Sequence, residues 1–304
     1  MKLVNFVVDR SVRLGAVVSG QVLDITDATG SVSDGLPSSL EEALGYWDRA
    51  VGDIQKSLNL IMSDKSTLQK LARKMKEVRF LPPVRTPGKI LCVFVNYRSH
   101  GKEVGSAPSE PYFFFKHSGC IVGDGDDVFA PKFSTKVDHE VELGVIIGKK
   151  GKDIEQKDAY DYVAGYTVVN DISFRDGMKR GVEGTVVGRN LYKGKVADTS
   201  LPMGPFLVTR DEVPDPYPLG LSLKVNGEVR QEGTTDDMIF RVPDLIACAS
   251  EGNTLLPGDV IATGTCSGVA LYTGKYLQDG DLVEAEVEKV GVLKNKIRMQ
   301  SRGA

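Results

Sequence analysis

The sequence predicts an α+β protein that is mainly β, with a small N-terminal α+β domain over residues 1–80 and a larger strand-rich domain over 86–304. Three observations carry this reading. Apolar runs of strand length recur from residue 89 to the C-terminus, helical spacing is concentrated upstream of residue 80, and FLPPVRTPGK (80–89) gathers three prolines and a glycine between the two regions. A chain of 304 residues, 41% apolar and 26% charged, has room for one large and one small domain and a sizeable core.

The elements follow in order. Residues 3–26 hold the runs VNFVV and LGAVVSGQVLDIT, which predict a small antiparallel hairpin or meander. Ser39-Leu40-Glu41-Glu42 and Ser66-Thr67-Leu68-Gln69 carry the capping-box pattern, and apolar residues such as Leu68, Leu71 and Met75 follow at helical spacing. Trp47 in this region reads as a core or interface side chain. Beyond the linker come KILCVFVNY, PYFFFKH, HEVELGVIIG, AGYTVVNDI, LGLSLKVNGEVRQ, DVIATGT and DLVEAEVEKVGVLKNKIRM, all strand-like. Asn226-Gly227 marks a two-residue hairpin turn, and one helix is expected near Val242–Ala249. There is no internal repeat and no low-complexity tract.

A net charge of −3 without a Lys/Arg run gives no basic face for a nucleic acid. Asp9, Arg10 and Arg13 interrupt the N-terminal apolar run, so neither a signal peptide nor a membrane span is expected there. Cys92, Cys120, Cys248 and Cys266 are far apart with no CxxC pair, which fits reduced thiols and a cytoplasmic location better than disulfides or zinc.

The stretch KVDHEVELGVIIGK (136–149) sets Asp138, Glu140 and Glu142 on one face of a predicted half-buried strand, with Val141, Leu143, Val145 and Ile147 on the other. Same-face neighbours are roughly 7 Å apart, so the acids repel unless a positive group lies among them. Asp171 closes the apolar run YTVVN, and Arg175 lies four residues on. Hard carboxylate oxygens on two strands suit Mg²⁺, Mn²⁺ or Ca²⁺ and argue against zinc. The alternative is one solvated edge with Arg175 and nearby lysines as counter-ions. In NYRSHGKE (96–103), after the apolar run ILCVFV, His100 and Glu103 are spaced i, i+3. One helical turn would bring the carboxylate to the imidazole and ready it as a general base toward water.

Taken with FFFK ending at Lys116, GKVADTSLPMGP at 194–205, VNGEVRQEG followed by DMIF in 225–240 and GDVIATGTCSGVA at 258–270, these motifs give the chain a resemblance to the fumarylacetoacetate hydrolase family over roughly residues 86–300. The resemblance implies a mixed β-sandwich roll in the large domain, a homodimer, Mg²⁺ or Mn²⁺, and a small 2-oxo or diketo acid as substrate. Carried over by residue, it implies Glu140, Glu142 and Asp171 as metal ligands, with Asp138 behind them. It implies His100 and Glu103 as a water-activating dyad and Lys195 as a contact to substrate oxygens. It also implies Thr265 as a hydrogen-bond partner of the substrate carboxylate, with Lys116 and Arg175 in the substrate-binding set. Arg175 has a competing reading as a counter-ion of Asp171 or Asp176.

On this basis the expected activity is hydrolysis of a C–C bond in an acylpyruvate, fumarylpyruvate- or acetylpyruvate-like, because only the dyad separates that reaction from its relatives. An oxaloacetate-type decarboxylase or a 2-hydroxydienoate isomerase would use the same metal site. A non-catalytic oxo-acid binder is the rival of another class. Three departures from the family pattern stand out: Arg175-Asp176-Gly177-Met178 replaces RDLQ, the segment before Lys195, with Leu191, lacks a tryptophan, and Cys266 replaces a proline. Cys266 reads as a packed thiol, since no histidine motif adjoins it.

Overall fold

The computed structural model describes residues 1–28, 35–178 and 190–300, so most of the segment between Met178 and Lys195, residues 179–189, lies outside the described residues. The protein is mainly β, with mixed sheets and few helices. A 12-stranded sheet runs Ala72–Lys74, Gln21–Asp24, Ser11–Val18, Lys2–Val8, Leu201–Thr209, Val163–Asn170, Val141–Ile147, Val260–Thr265, Ile90–Val93 and Phe113–Lys116, with two short strands off this path. A five-stranded sheet, Glu228–Thr234, Gly220–Val225, Leu282–Val287, Gly291–Met299 and Asp127–Ala130, packs against it.

The two sheets read differently in sequence for a physical reason. In the large sheet the central strands are buried along their whole length, so their runs are almost continuously apolar. In the smaller sheet Gly220–Val225 and Gly291–Met299 alternate buried and open positions, as one-sided burial requires. Val141–Ile147 departs from the half-buried strand expected of it: every residue is buried, because it lies between two strands and is covered on both faces. Leu143 and Val145 join Leu221, Leu223, Ala285 and Leu293 between the sheets, whereas Ile146 packs with Trp47 and Ile54 beneath the N-terminal helices.

The N-terminal meander forms as expected from Lys2–Val8, Ser11–Val18 and Gln21–Asp24. Its first strand continues the large sheet by pairing Lys2 with Val208 and Leu3 with Leu207. Ser39 caps the helix Leu40–Leu44 by accepting from Glu42 N at 3.2 Å. The helix Lys65–Leu71 starts earlier than its Ser66 signal, because the Asp64 carboxylate captures the Ser66 and Thr67 amides. Asn226 and Gly227 have φ of 51° and 83°, as a tight hairpin turn needs, and the helix near 242 spans Val242–Ser250. Among the described residues no helix is long and apolar enough to cross a membrane.

Candidate active site

Glu142 is the second residue of the buried strand Val141–Ile147, and Glu140 lies just before that strand. Asp171 follows the last residue of the adjacent antiparallel strand, where its amide donates to Glu140 O at 2.9 Å. One oxygen from each of the three carboxylates lies within 4.8 Å of the others. Glu140 is 6% exposed, Glu142 1% and Asp171 1%, so the solvated-edge alternative does not hold. Asp138 leaves the row altogether: it sits in a separate two-stranded ladder, Val137–Asp138 with Ser173–Phe174.

Cations answer part of the repulsion. Lys195 Nζ donates to Glu140 Oε2 and Asp171 Oδ2, each at 2.6 Å. Lys116 Nζ donates to Ser200 O at 2.7 Å and lies 2.6 Å from Asp171 Oδ1, an ionic contact without hydrogen-bond geometry. Arg175 pairs with Asp138 at 2.6 Å and Glu140 at 2.5 Å, and not with Asp171 or Asp176. Asp176 instead accepts from Ser134 Oγ at 2.6 Å and Thr135 N at 2.8 Å. The ladder explains the exchange of partners, since it lays Phe174 opposite Val137 and so brings the next residue, Arg175, alongside this pair.

Burial works to raise the Glu140 carboxyl, but Lys195 and Arg175 outweigh it and bring it down to about 2. At Glu142 the opposing pull of Lys195 and of the Gly264 N–H is outweighed. Burial first, then Asp171 and Glu140, push its carboxyl well above the usual range. Among the described residues no cation pairs with it, and Gly264 N–H donates to its Oε2 at 2.8 Å. Gly264 aims that N–H from φ +89°, a conformation that other side chains rarely adopt.

A divalent cation fits this arrangement. Three buried carboxylate oxygens converge and, among the described residues, Glu142 has no cation paired with it and Asp171 Oδ1 has no hydrogen-bond donor. All the donors are hard oxygens, which suit a divalent-metal site of the Mg²⁺, Mn²⁺ or Ca²⁺ type.

The segment with His100 and Glu103 forms the helix Arg98–Val104, which Gly105 ends at φ 81°. His100 Nδ1 lies 2.9 Å from Glu103 Oε2, while Glu103 Oε1 accepts from Gly268 N at 2.9 Å. The helix is thus formed and docked on the 266–270 loop. His100 is 8% exposed and meets Tyr272 edge to face at 6.0 Å.

A small cavity of about 20 Å³ is lined by His100, Glu140, Arg175, Lys195, Thr265 and Tyr272 among others. Lys116 is not on its wall and lies behind Asp171. Thr265 donates its hydroxyl to Val141 O at 2.7 Å and accepts from Gln231 Nε2 at 2.8 Å. Met178, where the family pattern has glutamine, is buried with its sulfur 3.9 Å from Arg175 Nη1. Cys266 is a packed thiol that burial pushes up to about 12.

Sequence reasoning missed Gln231, which binds Val141 N at 3.1 Å, Cys266 O at 3.0 Å and Thr265, and so joins the acid-bearing strand to the loop after Val260–Thr265. Its signal was present in the VNGEVRQEG motif. It also missed Tyr272, which no motif marked.

A buried three-carboxylate centre beside two lysines, an arginine and a carboxylate-held imidazole defines a metal-dependent enzyme site. The family model for the fumarylacetoacetate hydrolase C-terminal region matches residues 89–298. Over 224 residues the chain is 47% identical to the mitochondrial oxaloacetate tautomerase FAHD2A of Homo sapiens, covering 73% of this chain and 70% of that protein. Over 269 residues it is 38% identical to the oxaloacetate tautomerase YisK of Bacillus subtilis, covering 86% and 87%. The structure of maleylpyruvate hydrolase from Sphingobium sp. SYK-6 in complex with manganese(II) and pyruvate aligns at a TM-score of 0.76 and 31% identity, covering 99% of this chain and 100% of that one. This chain belongs to the fumarylacetoacetate hydrolase family and is an enzyme of it.

Proposed function

We propose that this enzyme interconverts the enol and keto forms of oxaloacetate, or of a closely similar 2-oxo diacid, with Glu140, Glu142 and Asp171 holding Mg²⁺ or Mn²⁺. The single observation that carries the reading is the buried acid triad, whose Glu140 lines one small cavity with Lys195, Arg175 and His100. The tautomerase names of the human and Bacillus relatives support the choice of reaction, and the manganese and pyruvate of the Sphingobium hydrolase support the metal and the oxo-acid class.

Tautomerisation moves one proton between carbon and oxygen. Glu103 occupies Nδ1 of His100, so Nε2 is the nitrogen left to take or return that proton. Lys195 and Arg175 offer positive charge to the oxygens of an anionic substrate, and the helix contributes His100 and Val104 to the cavity wall. A divalent ion in the triad supplies Lewis-acid polarisation of the 2-oxo group. Cleavage of an acylpyruvate, the reaction first expected from the motifs, is the second reading, favoured by the dyad, which would serve equally to deprotonate water. A homodimer and a cytoplasmic setting go with the proposal, the latter supported by the four free thiols. A single-chain mass by light scattering at micromolar concentration would count against the dimer.

The test is purified protein with Mg²⁺ or Mn²⁺, following loss of the ultraviolet absorbance of enol oxaloacetate, CO₂ release, and pyruvate release from acetylpyruvate and fumarylpyruvate. Faster enol–keto interchange than metal alone is expected. No acceleration, together with rapid acylpyruvate cleavage, would overturn the tautomerase reading in favour of hydrolysis.

A further inference from the structure

We infer that Asp237 is a positioning residue for the His100–Glu103 dyad, holding the first turn of the dyad helix from outside it; this rests on His100 being the proton carrier. The helix Arg98–Val104 has no local side-chain cap, because Tyr97 at its N-cap makes no such hydrogen bond. Instead Asp237 Oδ2 accepts from Ser99 N at 2.8 Å, across 138 residues of chain.

Asp237 belongs to a strap, residues 235–240, that is laced to the root of the helix. Arg98 Nη1 donates to Asp236 O at 3.2 Å and Met238 O at 2.9 Å. Ile239 N donates to Asn96 O at 2.7 Å, and the Asn96 side chain binds Phe240 N at 2.8 Å and Phe240 O at 3.0 Å. These contacts use strap main chain. Among the described residues, Asp237 is the one strap side chain that hydrogen-bonds the dyad helix.

A helix of seven residues has too little internal hydrogen bonding to hold itself. His100 directly follows Ser99, so its aim depends on how that first turn is fixed. Among the described residues the far end is hydrogen-bonded to the 266–270 loop through Glu103, the same carboxylate that holds His100, and Ser99 Oγ accepts from Ser267 N of that loop at a longer 3.3 Å. Asp237 is not on the cavity wall, so it acts through the helix and not on substrate.

The experiment uses the full chain loaded with Mn²⁺ and compares Asp237→Ala, Asp237→Ser and Asp237→Asn, with His100→Ala as reference. For enol–keto interchange of oxaloacetate, the Ala and Ser variants should lose about tenfold in kcat with KM changed less than about twofold. Asp237→Asn should restore kcat, since its Oδ1 accepts the same N–H. Amide exchange over residues 97–105 should quicken in the Ala and Ser variants, with Mn²⁺ affinity unchanged. Wild-type kcat in Asp237→Ala beside an impaired His100→Ala would overturn the inference alone, as would an Asn variant no better than Ser, or a kcat loss matched by lost Mn²⁺ affinity. Wild-type turnover in His100→Ala would sink the dyad reading and this inference with it. If Asp237→Ala fails to fold, the Asn and Ser pair decides.

Discussion

Arg175 and Asp138 form a buried ion pair, Nε to Oδ2 at 2.6 Å, in which the arginine side chain is 6% exposed and the aspartate 0%. Burial alone would raise the Asp138 carboxyl, yet Arg175 and neighbouring donors hold it below its usual range. The same carboxylate accepts from Ala270 N at 2.6 Å and Leu271 N at 2.9 Å, so it also fixes the short helix that carries Tyr272 against His100. Arg175→Met leaves Asp138 and Glu140 without this partner and should cost about 3–5 kcal/mol of stability, the usual scale for breaking a buried pair from one side. Urea unfolding measures it. A loss under about 1 kcal/mol would show that the backbone donors alone hold Asp138.

The metal assignment predicts a variant that folds and does not bind. Glu142→Ala removes one of the three converging oxygens, and it also removes a carboxylate that has no cation paired with it among the described residues. Mn²⁺ affinity and turnover should both collapse. In the wild-type protein, chelation should abolish activity, and added Mg²⁺ or Mn²⁺ should restore it. Mn²⁺ at about 100 times its Kd should add roughly 2.7 kcal/mol of stability to wild type and none to the variant. Wild-type metal binding in Glu142→Ala would sink the triad.

The site was legible where its signals are local. Glu140 and Glu142 flank a valine ahead of an apolar run, Asp171 ends one, and His100 and Glu103 are a helical turn apart, so residue type and spacing marked them as candidates and the ordered set of family motifs gave them roles. The partners were not legible where the fold sets them. Arg175 meets Asp138 because of a two-residue ladder, and nothing near Arg175 in sequence separates that partner from Asp171 or Asp176. Asp237 and Gln231 act across 138 and 90 residues, respectively. The same holds for the fold: an apolar run marked the strand Lys2–Val8, but its pairing with Leu201–Thr209 has no local trace. The long helix Trp47–Ser63 was recognised only as part of a helical region, since Tyr46 gives it no cap.

Cys266 predicts a change in alkaline stability. Its thiol is pushed from an ordinary 9.0 up to about 12 by burial, so the folded chain keeps a proton that the unfolded chain gives up. Stability from this group is therefore complete below about pH 9 and is lost as pH rises toward 12. Comparing wild type with Cys266→Ala by urea unfolding at pH 8 and about pH 10.5, the stability gap should narrow by on the order of 1–2 kcal/mol. A gap that stays constant would mean the thiol ionises equally in both states.

The dyad carries the prediction that separates proton transfer from decarboxylation. His100 is held at Nδ1 by Glu103 at 2.9 Å and lines the cavity shared by Glu140, Arg175 and Lys195. If Nε2 carries the proton, His100→Ala should slow enol–keto interchange by about 10²-fold or more, the usual scale for losing a general base. Acylpyruvate cleavage, which requires a deprotonated water, should fall as far. CO₂ release from oxaloacetate needs the metal and the lysine but no proton removed by His100, so it should fall much less. Glu103→Gln keeps an oxygen for the imidazole but loses the negative charge beside it, and should give an intermediate loss in the first two reactions. All three rates are measured on the same preparation of each variant. Equal losses in interchange and CO₂ release, or no loss in either, would show that His100 carries no proton in the reaction.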